Sequence, residues 1–150
     1  RSLKKLGMTP DIETGYVKKV RIDDSETPHV KTVEGIEDLS GRTVIMNDDE
    51  TLSGGSLIMC AEIAKERGAR DIYAFVTHGV LSGEAVKKIE QSPLTKLYVT
   101  DTVEFNEEAA GEVVGGPLTK IETLSVARIF AEAIKRTHEG KSLSSLFLGK

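Results

Sequence analysis

The 150-residue chain sets 20 Lys and Arg against 24 Asp and Glu, a net charge of −4, with 39% hydrophobic and 29% charged residues. That make-up describes a soluble globular protein long enough to bury one core, and the acidic balance speaks against a nucleic-acid partner. No apolar stretch approaches a membrane span, no signal peptide is visible, and the single cysteine, Cys60, can close no internal disulfide, all of which fits a cytoplasmic enzyme.

In chain order, Ser2 to Leu6 reads as the end of a helix stopped by Gly7, with Pro10 shortly after. Thr14 to Ile22 predicts a strand running into a polar loop, Asp23 to His29. Gly41 precedes a strand over Thr43 to Met46. From Gly54 to Arg67, Leu57, Ile58, Ala61 and Ala64 recur at helical spacing, and Gly68 fits the C-terminal cap. Cys60 falls among these apolar positions, which predicts a buried, inert thiol. Ile72 to Val76 is nearly continuous and apolar, as for a strand covered on both faces, with Tyr73 and Phe75 expected in the core.

Ser82 to Gln91 reads as a helix with Ala85, Val86 and Ile89 on one face, and Lys96 to Thr100 as the next strand. Asn106 to Pro117 is acidic and Gly-rich, and is expected to be a mobile surface connection. Ile121 to Leu124 is a further strand candidate. Ser125 suits the N-cap of a helix to His138, with Val126, Ile129, Phe130, Ala133 and Ile134 as its apolar stripe and Gly140 at its end. Strands alternating with helices at short spacing predict a parallel α/β sheet.

The chemistry concentrates in Ile45-Met46-Asn47-Asp48-Asp49-Glu50-Thr51-Leu52-Ser53-Gly54-Gly55-Ser56. An apolar run ends in adjacent carboxylates, and a small-residue loop then opens a helix. Asp48 and Asp49 can accept hydrogen bonds from vicinal hydroxyls. Ser53, Gly54, Gly55 and Ser56 let backbone N–H groups close on a phosphate at the helix N-terminus, with Thr51 as a further donor. Together these describe a site for ribose 5-phosphate or a phosphoribosyl group. The bland alternative is an Asp-Asp turn before a Gly-rich helix start.

This stretch resembles the phosphoribosyl-diphosphate loop of type I phosphoribosyltransferases. Val76-Thr77-His78-Gly79-Val80-Leu81-Ser82-Gly83 resembles the Thr-His-Gly-x-x-Ser-Gly segment of ribose-phosphate diphosphokinases, the phosphoribosyl-diphosphate synthetases. Val99-Thr100-Asp101-Thr102, Leu124-Ser125-Val126-Ala127 and Ser142-Leu143-Ser144-Ser145-Leu146-Phe147 also look like that family, in its order. The resemblance runs from about Leu3 to Phe147 and implies a Rossmann-like, type I phosphoribosyltransferase-like fold. It further implies that residues 1–150 form a single domain, the C-terminal half of a longer chain with two similar α/β halves.

The activity implied is Mg²⁺-dependent transfer of the β,γ-diphosphoryl group of ATP to ribose 5-phosphate, with AMP leaving, in an oligomeric full-length parent. By resemblance Asp48 and Asp49 hold the ribose hydroxyls and act on Mg²⁺ through water. Lys19 and Arg21, two apart on an extended segment, look like the family's flexible catalytic loop, whereas their spacing alone fits a solvated basic strand edge. Ser142 and Ser144 resemble serines that bind a regulatory phosphate, against the reading of a helix-capping pair. His78 follows a strand, and a structural role near the site is favoured over direct chemistry.

Two departures stand out. Leu52 occupies a place where many family members carry Asp, Ser or Thr, and Glu50 one that is usually apolar. Leu52 either removes a phosphate contact or packs under the loop while the backbone supplies the contacts; the second is expected. Two rival functions remain open at this point: an ordinary type I phosphoribosyltransferase, and a synthetase-associated subunit that keeps the fold without catalysis.

Overall fold

The computed structural model describes residues 13–20, 29–34 and 37–147. The expected helix end at Ser2 to Leu6 lies outside them, as does Arg21. The described residues fall into two compact units: a larger one, Gly15–Leu124, and a smaller one to which residues 13–14 and 125–147 belong.

The larger unit holds two sheets. β1 (Tyr16–Val20) and β2 (His29–Glu34) form an antiparallel pair with an irregularity between Lys18 and Lys19. β2 does not appear in the expectations; His29 opens a strand instead of closing a loop. The main sheet is β3 (Thr43–Thr51), β4 (Asp71–Gly79), β5 (Lys96–Thr100) and β6 (Ile121–Leu124), in that spatial order and wholly parallel. Three helices make the crossovers: α1 (Gly55–Glu66), α2 (Ala85–Gln91) and α3 (Glu107–Val114). A sheet that grows in one direction through crossovers of one hand places its helices on one face. The core accordingly joins Leu57, Ala61 and Ala64 of α1, Ala85, Val86 and Ile89 of α2 and Ala110 of α3 to Ile72, Ala74, Val76, Leu97, Val99 and Ile121 of the strands.

This arrangement corrects the reading of β4. Ile72, Ala74 and Val76 are buried, while Tyr73 is half-buried and Phe75 is 38% exposed. Tyr73 and Phe75 belong to the other sheet face, where Phe75 stacks on Tyr98 with centroids 4.9 Å apart. The apolar run thus conceals a period of two, because aromatic and aliphatic residues score alike in hydrophobicity. Cys60 is half-buried, not buried.

The segment expected to be a mobile connection contains α3. Asn106 caps it through Oδ1, which accepts from Ala109 N at 2.9 Å; Glu107 and Glu108 suit the positive first turn, and Gly115 ends it at φ +79°. The helix over Ser82 to Gln91 begins only at Ala85. β3 runs past Met46 to Thr51, so the carboxylates sit on the strand and not after it.

In the smaller unit, α4 (Ala127–His138) starts one residue later than a Ser125 cap requires. Val126 holds the cap position, and Ser125 Oγ accepts from Ala127 N at 3.3 Å. A short helix, α5 (Ser144–Phe147), follows. Arg136 donates to Ser142 O at 3.3 Å and to Ser145 Oγ, and pairs with Glu132 at 2.7 Å.

One side chain ties the β6 edge to α2. Glu90 accepts from Thr119 Oγ1 at 2.6 Å, Thr119 N at 3.1 Å and Lys120 N at 2.9 Å. Partial burial raises its pKa, but these hydrogen bonds outweigh that and hold it below the usual glutamate value. A lowered carboxylate pKa contributes stability above the unfolded-state value and loses it as pH falls through the folded-state value. Glu90→Ala should therefore cost about 1–3 kcal/mol at neutral pH, the scale of donors left unpartnered, and progressively less under acid conditions. Urea unfolding of both proteins across the acid range checks this; a difference that does not shrink with falling pH refutes it.

Candidate active site

The C-terminal ends of parallel strands are where α/β sheets collect ligands. At this end β3 presents Asp48, half-buried, and Asp49, exposed. Asp48 Oδ1 accepts from Asp49 N at 3.1 Å, and Asp49 Oδ1 from Glu50 N at 3.0 Å. The two carboxylates are thus oriented by the backbone that follows each. The Glu50 N–H, foremost among several contributions, lowers the Asp49 pKa. Asp49 stays ionised, as an acceptor for hydroxyl groups must.

The loop after the strand is held from beneath. Thr51 is buried, and its carbonyl accepts from Val80 N at 3.1 Å and Leu81 N at 3.3 Å. Leu52 O accepts from Ser82 N at 2.8 Å, with Ser82 Oγ at 3.4 Å. Leu81, buried in the core, takes φ +46°, a conformation costly for a branched side chain and sustained here by that packing. The residues 80–82 therefore strap the end of β3 to the end of β4.

Above this strap Gly54 sits at φ +73°, and a Cβ there would meet Ile89 Cδ1 at 3.2 Å. It turns the chain into α1, whose first bond is Ile58 N to Gly54 O at 2.9 Å. Gly54 offers no side-chain cap, and the first turn of α1 has no acidic residue. The positive end of the helix is not neutralised by its own sequence. Ser53 Oγ lies 3.5 Å from Gly55 N. Ser53, Gly54, Gly55 and Ser56 are thus gathered at one helix start, next to the carboxylates.

Leu52 does not pack under this loop. Its side chain is 58% exposed, because its carbonyl, not its side chain, faces the strap. Thr51 takes the inward place instead.

β4 and β5 complete the sheet end. Thr100 Oγ1 donates to Thr77 O at 2.7 Å, and Thr102 Oγ1 to the same carbonyl at 2.9 Å. Thr102 Oγ1 also lies 2.9 Å from His78 Nδ1. A hollow of about 320 Å³ opens beside them, its lining including the polar Asn47, Asp48, Thr77 and Thr100 and the apolar Phe75 and Leu124. The threonine pair was legible in the sequence only as strand-end residues without a partner; nothing in their spacing announces a shared carbonyl.

Lys19 lies on β1, opposite Val30 of β2, and β2 runs against α1, the helix that begins at the loop. Ser142 and Ser144 are in the smaller unit, where Ser142 Oγ accepts from Ser144 N at 3.2 Å at the start of α5. Among the described residues no three His, Cys, Asp or Glu side chains converge as a metal cage, and no helix is long and apolar enough to cross a membrane.

Residues 10–148 match the model of the phosphoribosyl synthetase-associated domain. The chain belongs to that family. It is 40% identical over 137 residues to ribose-phosphate pyrophosphokinase A of Dictyostelium discoideum, covering 91% of this chain and 40% of that protein. It is 43% identical over 112 residues to the ribose-phosphate pyrophosphokinase of Caldanaerobacter subterraneus, covering 75% of this chain and 33% of the relative. Among solved structures it resembles the phosphoribosylpyrophosphate synthetase of Mycobacterium smegmatis, with a TM-score of 0.62 and 27% identity over 75% of this chain and 35% of that one. The chain thus spans less than half the length of these relatives. The expected kinship with the synthetases and the expected α/β fold both hold.

In this family member the site rests on a close approach of two strands. A Cβ on Gly79 would lie 2.5 Å from Val99 Cγ1, inside contact distance. Gly79→Ala should destabilise by about 1–3 kcal/mol, as overpacked cores do, and should disturb the strap at Val80. Gly116→Ala, where a Cβ meets nothing, should cost less. Thermal unfolding of both variants tests the ordering; equal losses would contradict it.

Proposed function

We propose that this chain is the ribose 5-phosphate half of a ribose-phosphate diphosphokinase, which transfers the β,γ-diphosphoryl group of ATP to the anomeric hydroxyl of ribose 5-phosphate and releases AMP. The observation that carries this is the pairing of two backbone-oriented carboxylates with an acid-free helix start one short loop away. A ribose 5-phosphate has a diol at one end and a dianion at the other. The carboxylates, with lone pairs beyond those used by the backbone, accept from the diol. The N–H groups and hydroxyls of Ser53 to Ser56 take the phosphate.

The difficulty of the reaction is charge, since an anionic donor must meet an anionic sugar phosphate. Positioning and cations answer it. Lys19 and Arg21 are assigned the transferring phosphates, a point charge and a fork respectively. Asp48 and Asp49 suit Mg²⁺ held through water: they stand side by side, Asp49 stays ionised, and magnesium takes few protein carboxylates. Such an ion supplies neutralisation of the phosphate oxygens. The adenine site, a homo-oligomeric assembly and a cytoplasmic setting belong to the longer parent in this reading. Ser142 and Ser144 would receive a regulatory phosphate with Arg136 beside them.

The exposed Leu52 keeps a second reading alive, a synthetase-associated subunit without catalysis. Titration of the chain with ribose 5-phosphate, followed by amide NMR shifts, addresses the primary reading. Shifts should centre on residues 48–56; shifts confined elsewhere would remove the assignment. Leu52→Thr should tighten binding roughly tenfold or more, because a hydroxyl bond to a charged group contributes about 1.5–3 kcal/mol and the leucine holds no packing to lose. Unchanged affinity by calorimetry would show that the backbone alone makes the contacts.

The chain by itself should form no phosphoribosyl diphosphate from ATP. In a longer parent, Lys19→Ala and Arg21→Ala should each lower kcat about a hundredfold while ribose 5-phosphate binding changes little, as loss of a transition-state donor does. Turnover unchanged by both would favour the non-catalytic subunit.

A further inference from the structure

The hydroxyl cluster at the ends of β4 and β5 fixes the proton of His78. Thr77 O has no proton to offer. Thr100 Oγ1 lies 2.7 Å and Thr102 Oγ1 2.9 Å from it, and the two hydroxyl oxygens lie 2.9 Å from each other. Each hydroxyl has one proton, so two protons serve these three contacts and none is spare for the ring. Thr102 N adds a donation to Thr100 Oγ1 at 3.3 Å, which again uses this oxygen as an acceptor. When His78 Nδ1 then meets Thr102 Oγ1 at 2.9 Å, the remaining proton for that bond is the ring's own. The neutral imidazole carries its hydrogen on Nδ1, and Nε2 carries a lone pair.

The ring's place gives this a consequence. His78 is exposed and pairs in register with Glu50, the residue after Asp49, at the end of β3. Nδ1 is turned to Thr102, on the β5 side. Nε2 is the opposite end of the ring.

Resting on the ribose 5-phosphate reading above, we propose that His78 presents Nε2 as a hydrogen-bond acceptor to a hydroxyl of the bound pentose, with Thr102 as the positioning residue that selects this tautomer. The site then reads a sugar hydroxyl with an imidazole lone pair as well as with carboxylates. Thr102 touches no substrate; it acts through the ring.

Long-range ¹H–¹⁵N correlation of the imidazole in the full 150-residue chain, at about pH 8 and so above the ordinary histidine range, reads the tautomer directly. The expected result is a pyrrole-type Nδ1 and a pyridine-type Nε2. Thr102→Val should lose this pattern and Thr102→Ser should keep it. A wild-type ring with the proton on Nε2, or a pattern identical in Thr102→Val, overturns the tautomer assignment.

Addition of ribose 5-phosphate should then move the Nε2 resonance. Thr102→Val should weaken binding roughly fivefold, the scale of one net hydrogen bond, with Thr102→Ser near wild type. Amide shifts at residues 48–56 without movement of Nε2 would overturn the role of His78 and leave the ribose 5-phosphate reading standing. No shift at either place would remove both. Circular dichroism of Thr102→Val and Thr102→Ser shows whether each is folded, and the serine variant keeps the test decisive if the valine variant is not.

Discussion

Two backbone carbonyls, those of Thr51 and Leu52, hold the functional end of this molecule in place. Both belong to residues at or beyond the end of β3, where ladder partners run out. Both are satisfied by N–H groups of Val80, Leu81 and Ser82, just past the end of β4. Thr51 is buried, and a buried carbonyl left without a donor costs about 1–3 kcal/mol. The strap avoids that cost and joins two adjacent strand ends into one surface. The candidate ligand groups at this end of the main sheet flank it: Asp48 and Asp49 precede it, Ser53 to Ser56 follow it, and His78 lies on the adjacent strand.

The strap in turn depends on two tight fits. Leu81 accepts an unfavourable φ so that its side chain reaches the core while its N–H reaches Thr51 O. Gly79 permits β4 to end against Val99 with no Cβ between them. Val99 is the neighbour of Val76 across the β4–β5 ladder, and Thr100, the next residue, bonds Thr77 O. Packing at Gly79 and hydrogen bonding at Thr77 therefore fix the same two strands from below and above. The core between these strands cannot shift without breaking one of these contacts.

Much of this was legible from residue pattern. β5 and β6 have the bounds their apolar runs predict, the apolar stripe of α2 names its buried residues, and that of α1 does so except at Ile58, which is half-buried. The strand, small-residue loop and helix start from Asp48 to Ser56 are legible because an apolar run gives way to Ser and Gly before a helical period resumes. What escaped had physical reasons. β4 hid its alternation since Tyr73 and Phe75 are as apolar as the aliphatics beside them. α3 is masked by Gly111 within it and by Gly115 and Gly116 after it, although its start signal, Asn106 followed by Glu107 and Glu108, stands in the sequence. Leu52 faces outward because the backbone at that residue is engaged inward, which composition cannot reveal. Glu90 binds a turn 29 residues away, and no local signal marks such a contact.

Backbone hydrogen bonding also orients the carboxylate pair at the end of β3. Adjacent aspartates on an ordinary strand would alternate faces and repel. Here Asp48 and Asp49 each turn one oxygen back onto the next N–H, so part of each charge is spent on the backbone and the remainder is presented at the sheet end. Those N–H groups and the positive start of α1 ease the repulsion between them. A site arranged in this way is poised to gain from a ligand that brings hydroxyl donors to the carboxylates and negative charge to the helix. A sugar phosphate brings both at once, at the two ends of one small molecule.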